Sequence, residues 1–260
     1  MLHENKKKYI LKLLREKSFV TVAELSEYFK QSQVTIRKLL TSMENEGLLK
    51  RSWGGAVNAS SSLVEYSHEE KTIQHLKEKK AIALEAYKMI HEGEAIFLDS
   101  GTTTLQLARL LAKGEKKNIL VCTNAINIAM EFLNADGIHV IVIGGELRKK
   151  IMSCTGLFAI ESLKQLHFDK CFITGNHFTL EKGYTTPVPS ESEFKHALVN
   201  AGKMSIVLMD YSKYGDNSLA LICPIEDIDY LITDYTAPSQ LKTAFAERNA
   251  KVIIAPENVE

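Results

Sequence analysis

The chain has 260 residues, of which 45% are apolar and 25% charged, and its formal net charge is zero. This composition is typical of a globular protein with one large domain or two unequal ones. No apolar run approaches the roughly 18–20 residues needed to span a bilayer, which excludes a membrane-spanning protein. Charged residues follow Leu2 at once, so no signal peptide is predicted, and we expect a cytoplasmic location without membrane partners.

The four cysteines are widely separated and form no Cys-x-x-Cys pair. Cys122 and Cys171 fall inside strand-like runs, which favours small buried hydrophobic residues over ligands or reactive thiols. We therefore predict no metal site, no redox site and no cofactor.

Charge is unevenly distributed along the chain. Residues 1–57 carry eleven Lys and Arg and six Glu, a net charge of +5, so the remaining residues carry −5. A basic first segment followed by an acidic remainder indicates a nucleic-acid-binding module joined to a second domain.

Three helices are predicted within the basic segment. The first is amphipathic and covers 4–17. The second begins at Thr21, where a Thr-x-x-Glu capping box reaches Glu24, and ends near Lys30. The third runs from about 34 to 46, with Val34, Leu39 or Leu40, and Met43 on its inner face.

Two short strands, 48–51 and 56–57, follow around a Trp-Gly-Gly turn. Three helices and a hairpin in this order are typical of a winged helix-turn-helix, in which the third helix enters the major groove of double-stranded DNA. A basic three-helix bundle that binds protein is the alternative. Ser32 either caps the third helix or contacts a phosphate. The candidate DNA-contacting residues are Ser32, Gln33, Thr35, Arg37, Lys38, Arg51 and Trp53.

Residues 58–74 are polar and serine-rich and are predicted to be a linker, so that 75–260 form the second domain. A long helix is expected from 75 to 90. Strand-like runs then alternate with helical patterns, which indicates a layered α/β fold with a mostly parallel sheet. These runs are 95–98, 119–122, 138–143, 170–174, 205–209, 228–232 and 251–254.

One stretch of this second domain, 95–111, resembles an anion-binding site. A buried strand ends at Asp99 and a hydroxyl-rich turn leads into a helix. The first amides of a helix lack intrahelical acceptors and its dipole favours negative charge, so a phosphate is expected here. An ordinary helix cap is the alternative. The candidate contacts are Asp99, Ser100, Gly101, Thr102, Thr103 and Thr104.

Polar residues also follow several other strands. Parallel α/β sheets bind ligands outside the carboxyl ends of their strands, where the strand order reverses. Hydroxyls, an amide, glycines and a lysine at that edge would suit a phosphorylated polyol. These candidates are Thr123, Asn124, Gly144, Gly145, Gly175 and Lys213.

With these motifs in order, the sequence resembles the DeoR family of bacterial transcriptional regulators over nearly its whole length. In the first domain the resemblance rests on 34–37, 44–51 and 54–56. In the second it rests on 99–103, 123–124, 144–145, Glu191 with Lys195, and 210–213. The run Asn176-His177-Phe178 departs from the Ala-Asp-Gly type common in the family.

The resemblance implies a repressor, not an enzyme, that acts on a carbohydrate-utilisation operon. It further implies a sensor domain similar to ribose-5-phosphate isomerases, which binds a phosphorylated sugar and places Glu191 and Lys195 in the effector site. A homodimer or homotetramer is expected from the family and from operator symmetry.

Two other functions remain open at this stage. A sugar-phosphate isomerase with an appended basic domain would need a carboxylate base beside the phosphate, and Asp99, Glu146, Glu191 and Asp210 are available. A protein-interaction module with a basic head is the third interpretation.

Overall fold

The computed structural model describes residues 2–17, 19–46, 48–52, 54–58 and 67–257. The chain divides into two compact units, Met1–Val64 and Glu65–Glu260. Each unit has its own hydrophobic core.

The first unit contains the three predicted helices and the predicted hairpin. Its elements are α1 (Leu2–Lys17), β1 (Phe19–Thr21), α2 (Val22–Phe29), α3 (Gln33–Asn45), β2 (Leu49–Ser52) and β3 (Gly55–Asn58). Strand β1 was not predicted; it pairs antiparallel with β3, which also pairs with β2. A Cβ on Gly55 would lie 1.9 Å from the Val20 carbonyl oxygen, so only glycine permits this approach.

Helix α3 packs through a different set of residues from the predicted one. Ile36, Leu39, Leu40 and Met43 are buried, whereas Val34 is 60% exposed. Positions 36, 39, 40 and 43 follow the i, i+3, i+4, i+7 spacing of one helix face, and Val34 lies on the opposite side. The prediction that Val34 packs inward was therefore wrong.

The second unit begins with α4 (His68–Ile73), which lies within the predicted linker. Residues 59–66 of that linker fall outside the described part of the chain. The other helices are α5 (Leu76–Lys88), α6 (Thr102–Lys113), α7 (Ile126–Glu131), α8 (Leu157–Leu163), α9 (Pro189–Val199) and α10 (Gln240–Ala246).

A seven-stranded sheet forms the centre of the second unit. All its neighbouring strands are parallel, in the order β15-β14-β12-β9-β4-β5-β6, which confirms the predicted mostly parallel α/β fold. These strands are β4 (Ala95–Leu98), β5 (Ile119–Thr123), β6 (Ile138–Val142), β9 (Lys170–Ile173), β12 (Ser205–Leu208), β14 (Tyr230–Thr233) and β15 (Lys251–Ile254).

Helices cover both faces of this sheet. On β4, Ile96 and Leu98 pack against α5 and α6, whereas Phe97 faces the cluster that contains α8, α9 and α10. Side chains of a strand alternate between faces, so a strand covered on both sides is apolar throughout. This explains why the central strands were recognisable in the sequence.

Two smaller antiparallel sheets were not predicted. One joins β10 (His177–Thr179), β11 (Gly183–Thr186) and β13 (Ala220–Cys223). The other is a ribbon of β7 (Glu146–Arg148) and β8 (Ser153–Thr155). Strands of three or four residues are too short to show alternation, and most of these lack the unbroken apolar run that marks the central strands.

The strand order reverses between β4 and β9, because β5 and β6 continue on one side and β12, β14 and β15 on the other. A crevice outside the carboxyl ends of the strands is expected at such a point. All four cysteines are buried. Within the described ranges, no helix has both the length and the apolar character to cross a bilayer.

Candidate functional site

A cavity lies at the point where the strand order reverses. Its wall includes residues that follow β4, β9 and β12, together with residues of α9. Eight of the predicted effector contacts line it: Ser100, Gly101, Thr102, Thr103, Gly175, Glu191, Lys195 and Lys213. The fold therefore brings residues that lie up to 113 positions apart in the sequence into one cavity.

The N-terminus of α6 forms one wall. Thr102 and Thr103 occupy the first turn of this helix, are buried, and line the cavity. Among the described residues, neither hydroxyl has a hydrogen-bond partner. Free hydroxyls beside the unpaired amides of a first helical turn suit an anion.

Thr104 has a different role from Thr102 and Thr103. Its Oγ1 accepts a hydrogen bond from the Gly101 amide at 2.9 Å and donates one to the Asp99 carbonyl oxygen at 2.5 Å. The side chain is fully buried and does not line the cavity. The structure thus uses the Thr104 hydroxyl to shape the turn, because it satisfies backbone groups there.

A buried ionic network lies beneath the cavity. The Lys195 ammonium pairs with the Asp99 carboxylate, donates to the Thr174 carbonyl oxygen at 2.8 Å, and lies 3.4 Å from Glu191 Oε1. Asp99 also accepts hydrogen bonds from the Thr174 amide at 2.9 Å and hydroxyl at 2.8 Å. Asp99 therefore joins the ends of β4 and β9 to α9 and does not itself line the cavity.

Glu191 is the carboxylate on the cavity wall. Burial alone would raise its pKa, but the charges of Lys195, Lys71 and Arg148 and a hydrogen bond from Thr186 lower it to about 2. Arg148 Nη1 lies 3.2 Å and Thr186 Oγ1 3.0 Å from Glu191 Oε2. The carboxylates of Asp99 and Glu191 raise the pKa of Lys195, although its burial by itself would lower it. Both groups are therefore held in their charged forms.

Four predicted effector contacts lie elsewhere. Thr123 Oγ1 donates to the Leu98 carbonyl oxygen at 2.6 Å, and Asn124 Nδ2 donates to the Cys154 carbonyl oxygen at 2.9 Å. These groups are used to join neighbouring chain segments. Gly144 and Gly145 are absent from the cavity wall as well.

The sequence prediction missed seven residues of the wall, and two of them carried a usable signal. Lys79 lies between Leu76 and Ile82 on the apolar side of α5, where a lysine is out of place. Asn176 belongs to the run that departs from the family pattern. No pattern in the sequence indicated the others. The seven are His68, Lys71, Lys79, Ile151, Thr174, Asn176 and Leu208.

The candidate DNA-contacting surface lies on the first unit. Ser32 caps α3, since its Oγ accepts a hydrogen bond from the Thr35 amide at 3.2 Å. This agrees with the first of the two roles expected for Ser32. Helix α3 follows α2 after a turn of three residues, in which Lys30 has a left-handed backbone conformation.

One side of α3 is exposed and basic. Its exposed side chains include those of Gln33, Val34, Thr35, Arg37 and Lys38. Arg51 of the hairpin is also exposed, and its Nη1 donates to Thr41 Oγ1 on α3 at 2.9 Å. The structure thus places six of the seven predicted DNA contacts within this unit, while Trp53 lies outside the described residues.

Comparison with known proteins agrees with this division. Residues 7–62 match the DeoR-like helix-turn-helix domain, and residues 74–235 match the DeoR C-terminal sensor domain. A putative aga operon transcriptional repressor of Escherichia coli O157:H7 is 32% identical over 97% of this chain and 94% of its own. The transcriptional regulator GlpR of Haloferax volcanii is 33% identical over 97% and 98%.

Solved structures were compared as well. A D-ribose-5-phosphate isomerase in complex with phospho-erythronic acid matches 53% of this chain and 53% of its own. The sequence identity is 20% and the TM-score is 0.40.

Proposed function

Because this chain belongs to the DeoR family of transcriptional regulators, we propose that it represses a carbohydrate-utilisation operon and that a phosphorylated sugar or related metabolite releases it from its operator. The observation that carries the proposal is the cavity at the N-terminus of α6. There, unpaired hydroxyls face several lysines in a site that only the folded sheet assembles.

The chemistry of the cavity supports an anionic, hydroxyl-bearing ligand. Thr102 and Thr103 supply hydroxyls beside the helix N-terminus, and Lys213 supplies a positive charge. Asn176 and Glu191 add groups that can bind sugar hydroxyls. Hydrogen bonds to charged groups contribute roughly 1.5–3 kcal/mol each, so a few of them hold a phosphate at metabolite concentrations.

The first unit supports binding to the major groove through α3. Arg37 lies on the exposed side of this helix and can reach base edges, whereas Thr35, Lys38 and Arg51 are placed to contact phosphates. The exposed Val34 adds an apolar group of the kind that contacts the thymine methyl. We therefore assign direct readout of the operator to Arg37.

The carboxylates around the cavity argue against an isomerase. A general base needs a free carboxylate whose pKa lies near the working pH. The pKa of Glu191 is lowered to about 2 and its oxygens contact Arg148, Thr186 and Lys195, while Asp99 is paired with Lys195. The proposed role of this cavity is therefore to bind a ligand and not to transform it.

Operator symmetry supports a homodimer or homotetramer, since two-fold DNA sites are read by two-fold proteins. On the second unit, α7, β6 and the segment between them expose a group of large apolar side chains of the kind that oligomer interfaces cover. Its most exposed members are Met130 at 62% and Leu133 at 76%. We expect Leu133→Glu to lower the oligomeric state in sedimentation equilibrium, and an unchanged state would exclude this surface.

Operator release tests the proposal directly. The protein is first bound to fluorescently labelled DNA, taken from upstream of its own gene and of neighbouring sugar genes. Phosphorylated and unphosphorylated sugars are then titrated into this complex while the fluorescence anisotropy is recorded. We expect one phosphorylated compound to release the DNA and its unphosphorylated form to fail. Effector binding at 100 times Kd should also stabilise the protein by about 2.7 kcal/mol. Release by unphosphorylated sugars alone would contradict the proposal.

A further inference from the structure

Lys79 is a buried ammonium group that has no ion pair among the described residues. Its side chain, on the first turn of α5, is only 3% exposed. The Nζ atom donates to the carbonyl oxygens of Lys71 and Gln74, the latter at 2.5 Å. Carbonyl groups solvate a charge but do not neutralise it, so a buried ammonium without a carboxylate partner is unusual.

Lys79 also lines the cavity, together with Lys71 and Lys213. Burial lowers its pKa to about 8; Asp210 and Glu78 oppose this effect, and the nearby charges of Lys213 and Lys71 add to it. These groups come from α4, α5 and the chain after β12. An anion in the cavity would place a negative charge close to Lys79, the buried lysine for which the described residues supply no ion pair.

The two carbonyl groups that Lys79 contacts belong to the C-terminal part of α4 and to the residue that follows it. Lys71 lies within α4 and Gln74 directly follows it. At the other end of α4, the His68 amide donates to the Lys150 carbonyl oxygen at 2.9 Å, and His68 Nε2 lies 2.9 Å from Asn127 Nδ2. His68 and Lys71 both line the cavity. Helix α4 is therefore part of the cavity wall, and Lys79 is hydrogen-bonded to its C-terminal end.

Helix α4 also has a particular position in the chain. It begins four residues after Val64, where the first compact unit ends. A segment that lines the cavity and lies so close in the sequence to the first unit is well placed to report whether the cavity is filled.

We propose that Lys79 senses the negative charge of the effector and that this contact changes how firmly helix α4 is held. The bound anion contacts the Lys79 and Lys71 ammonium groups together, and this fixes α4 against the cavity in a way that the empty cavity does not. The inference rests on the proposed function, since it assigns a charge-sensing residue and a responding segment to the same effector cavity.

Inorganic sulfate is the probe for the first test, because it has no group that titrates near pH 8. We expect Lys79→Met to weaken sulfate binding at least tenfold in calorimetry at pH 7. The matched control is Lys77→Met, which removes an exposed lysine from the same helix and should bind as the parent does. Parental affinity in Lys79→Met would overturn the proposal.

Proton uptake separates charge sensing from a merely structural role. At pH 8 about half of the Lys79 side chains are neutral, since their pKa is about 8. Sulfate should raise this pKa and draw up to about half a proton per site from solution, measured from calorimetric heats in buffers of different ionisation enthalpy. Lys79→Arg should keep binding but lose this uptake, because guanidinium does not titrate. Equal uptake in parent and Lys79→Arg would overturn the proposal.

Hydrogen exchange tests the response of α4. Sulfate should slow amide exchange in 68–75 of the parent and of Lys77→Met, but not in Lys79→Met. Equal slowing in all three proteins would show that α4 responds without Lys79, and the inference would fall while the proposed function stands. A parent that binds neither sulfate nor any phosphorylated sugar would remove the proposed function itself.

Discussion

The side chain of Thr174 fills the space beside Gly101, such that a Cβ added to Gly101 would lie 2.4 Å from Thr174 Cγ2 and 2.6 Å from its Oγ1. Thr174 cannot move away cheaply, because its hydroxyl and amide bind Asp99 and its carbonyl oxygen binds Lys195. Glycine at this position therefore permits β4, β9 and α6 to meet at the floor of the cavity.

This contact changes how the turn should be tested. From the sequence alone, Gly101→Asp is expected to block a phosphate and to leave the fold intact, whereas the structure shows that a Cβ at this position overlaps the Thr174 side chain. We predict that even Gly101→Ala lowers the free energy of unfolding by about 1–3 kcal/mol, since it overpacks a buried contact. The control is Gly144→Ala, because no atom lies within 4 Å of the added Cβ. Urea denaturation that finds both variants equally stable would contradict this.

The two neighbouring threonines Thr103 and Thr104 should respond differently to the same substitution. Thr103→Val removes a hydroxyl that faces the cavity, so we expect weaker binding of the releasing sugar phosphate in calorimetry and nearly unchanged stability. Thr104→Val removes the buried hydroxyl that accepts from the Gly101 amide and donates to the Asp99 carbonyl oxygen, so we expect a loss of about 1–3 kcal/mol in the free energy of unfolding. Parental ligand affinity in Thr103→Val would mean that the start of α6 does not bind the effector.

Lys213 is expected to contribute charge to effector binding and nothing to operator binding. Lys213→Ala should raise the effector Kd by roughly tenfold, corresponding to about 1.4 kcal/mol, and leave the operator Kd unchanged. Lys182→Ala removes an exposed lysine away from the cavity and serves as the control. An unchanged effector Kd for Lys213→Ala would exclude the role.

Arg37 and Lys38 should separate base readout from phosphate contact. A bidentate contact between arginine and guanine contributes about 1–3 kcal/mol of discrimination, so Arg37→Ala should flatten the preference among single-base operator variants. Lys38→Ala should weaken binding to all of them alike and reduce the dependence on salt. Anisotropy titrations in which Arg37→Ala keeps the parental preference would show that α3 is wrongly assigned.

The lowered pKa of Glu191 predicts that part of the free energy of unfolding is lost in acid. Its pKa is about 2 in the folded chain and 4.5 ordinarily, so the folded state favours the charged carboxylate. The resulting stability is complete above about pH 4.5 and is lost as the pH falls toward 2. Between pH 5 and pH 3, about the range that urea denaturation can cover, the free energy of unfolding of Glu191→Gln should fall less steeply than that of the parent. Glu193→Gln, an exposed change on the same helix, should follow the parent slope.

The sequence by itself determined the division into a basic helical unit and an α/β unit. Buried strands such as β4 are apolar on both faces, and α2 begins at a Thr-x-x-Glu capping box, in which Thr21 Oγ1 accepts from the Glu24 amide at 2.9 Å. These are local signals, since periodicity and capping depend only on residues close in the chain. The exposed side of α3 could be predicted for the same reason, except for Val34.

Only the tertiary structure decided which polar residues share the cavity. Ser100 and Thr104 look alike in the sequence, yet Thr104 donates to the backbone of its own turn. Lys79 and Lys71 reach the cavity because α4 and α5 pack beside α6, and Thr123 does not, because its hydroxyl binds the neighbouring strand. Such outcomes depend on which chain segments are neighbours in space, and no local pattern of hydroxyls or charges records that.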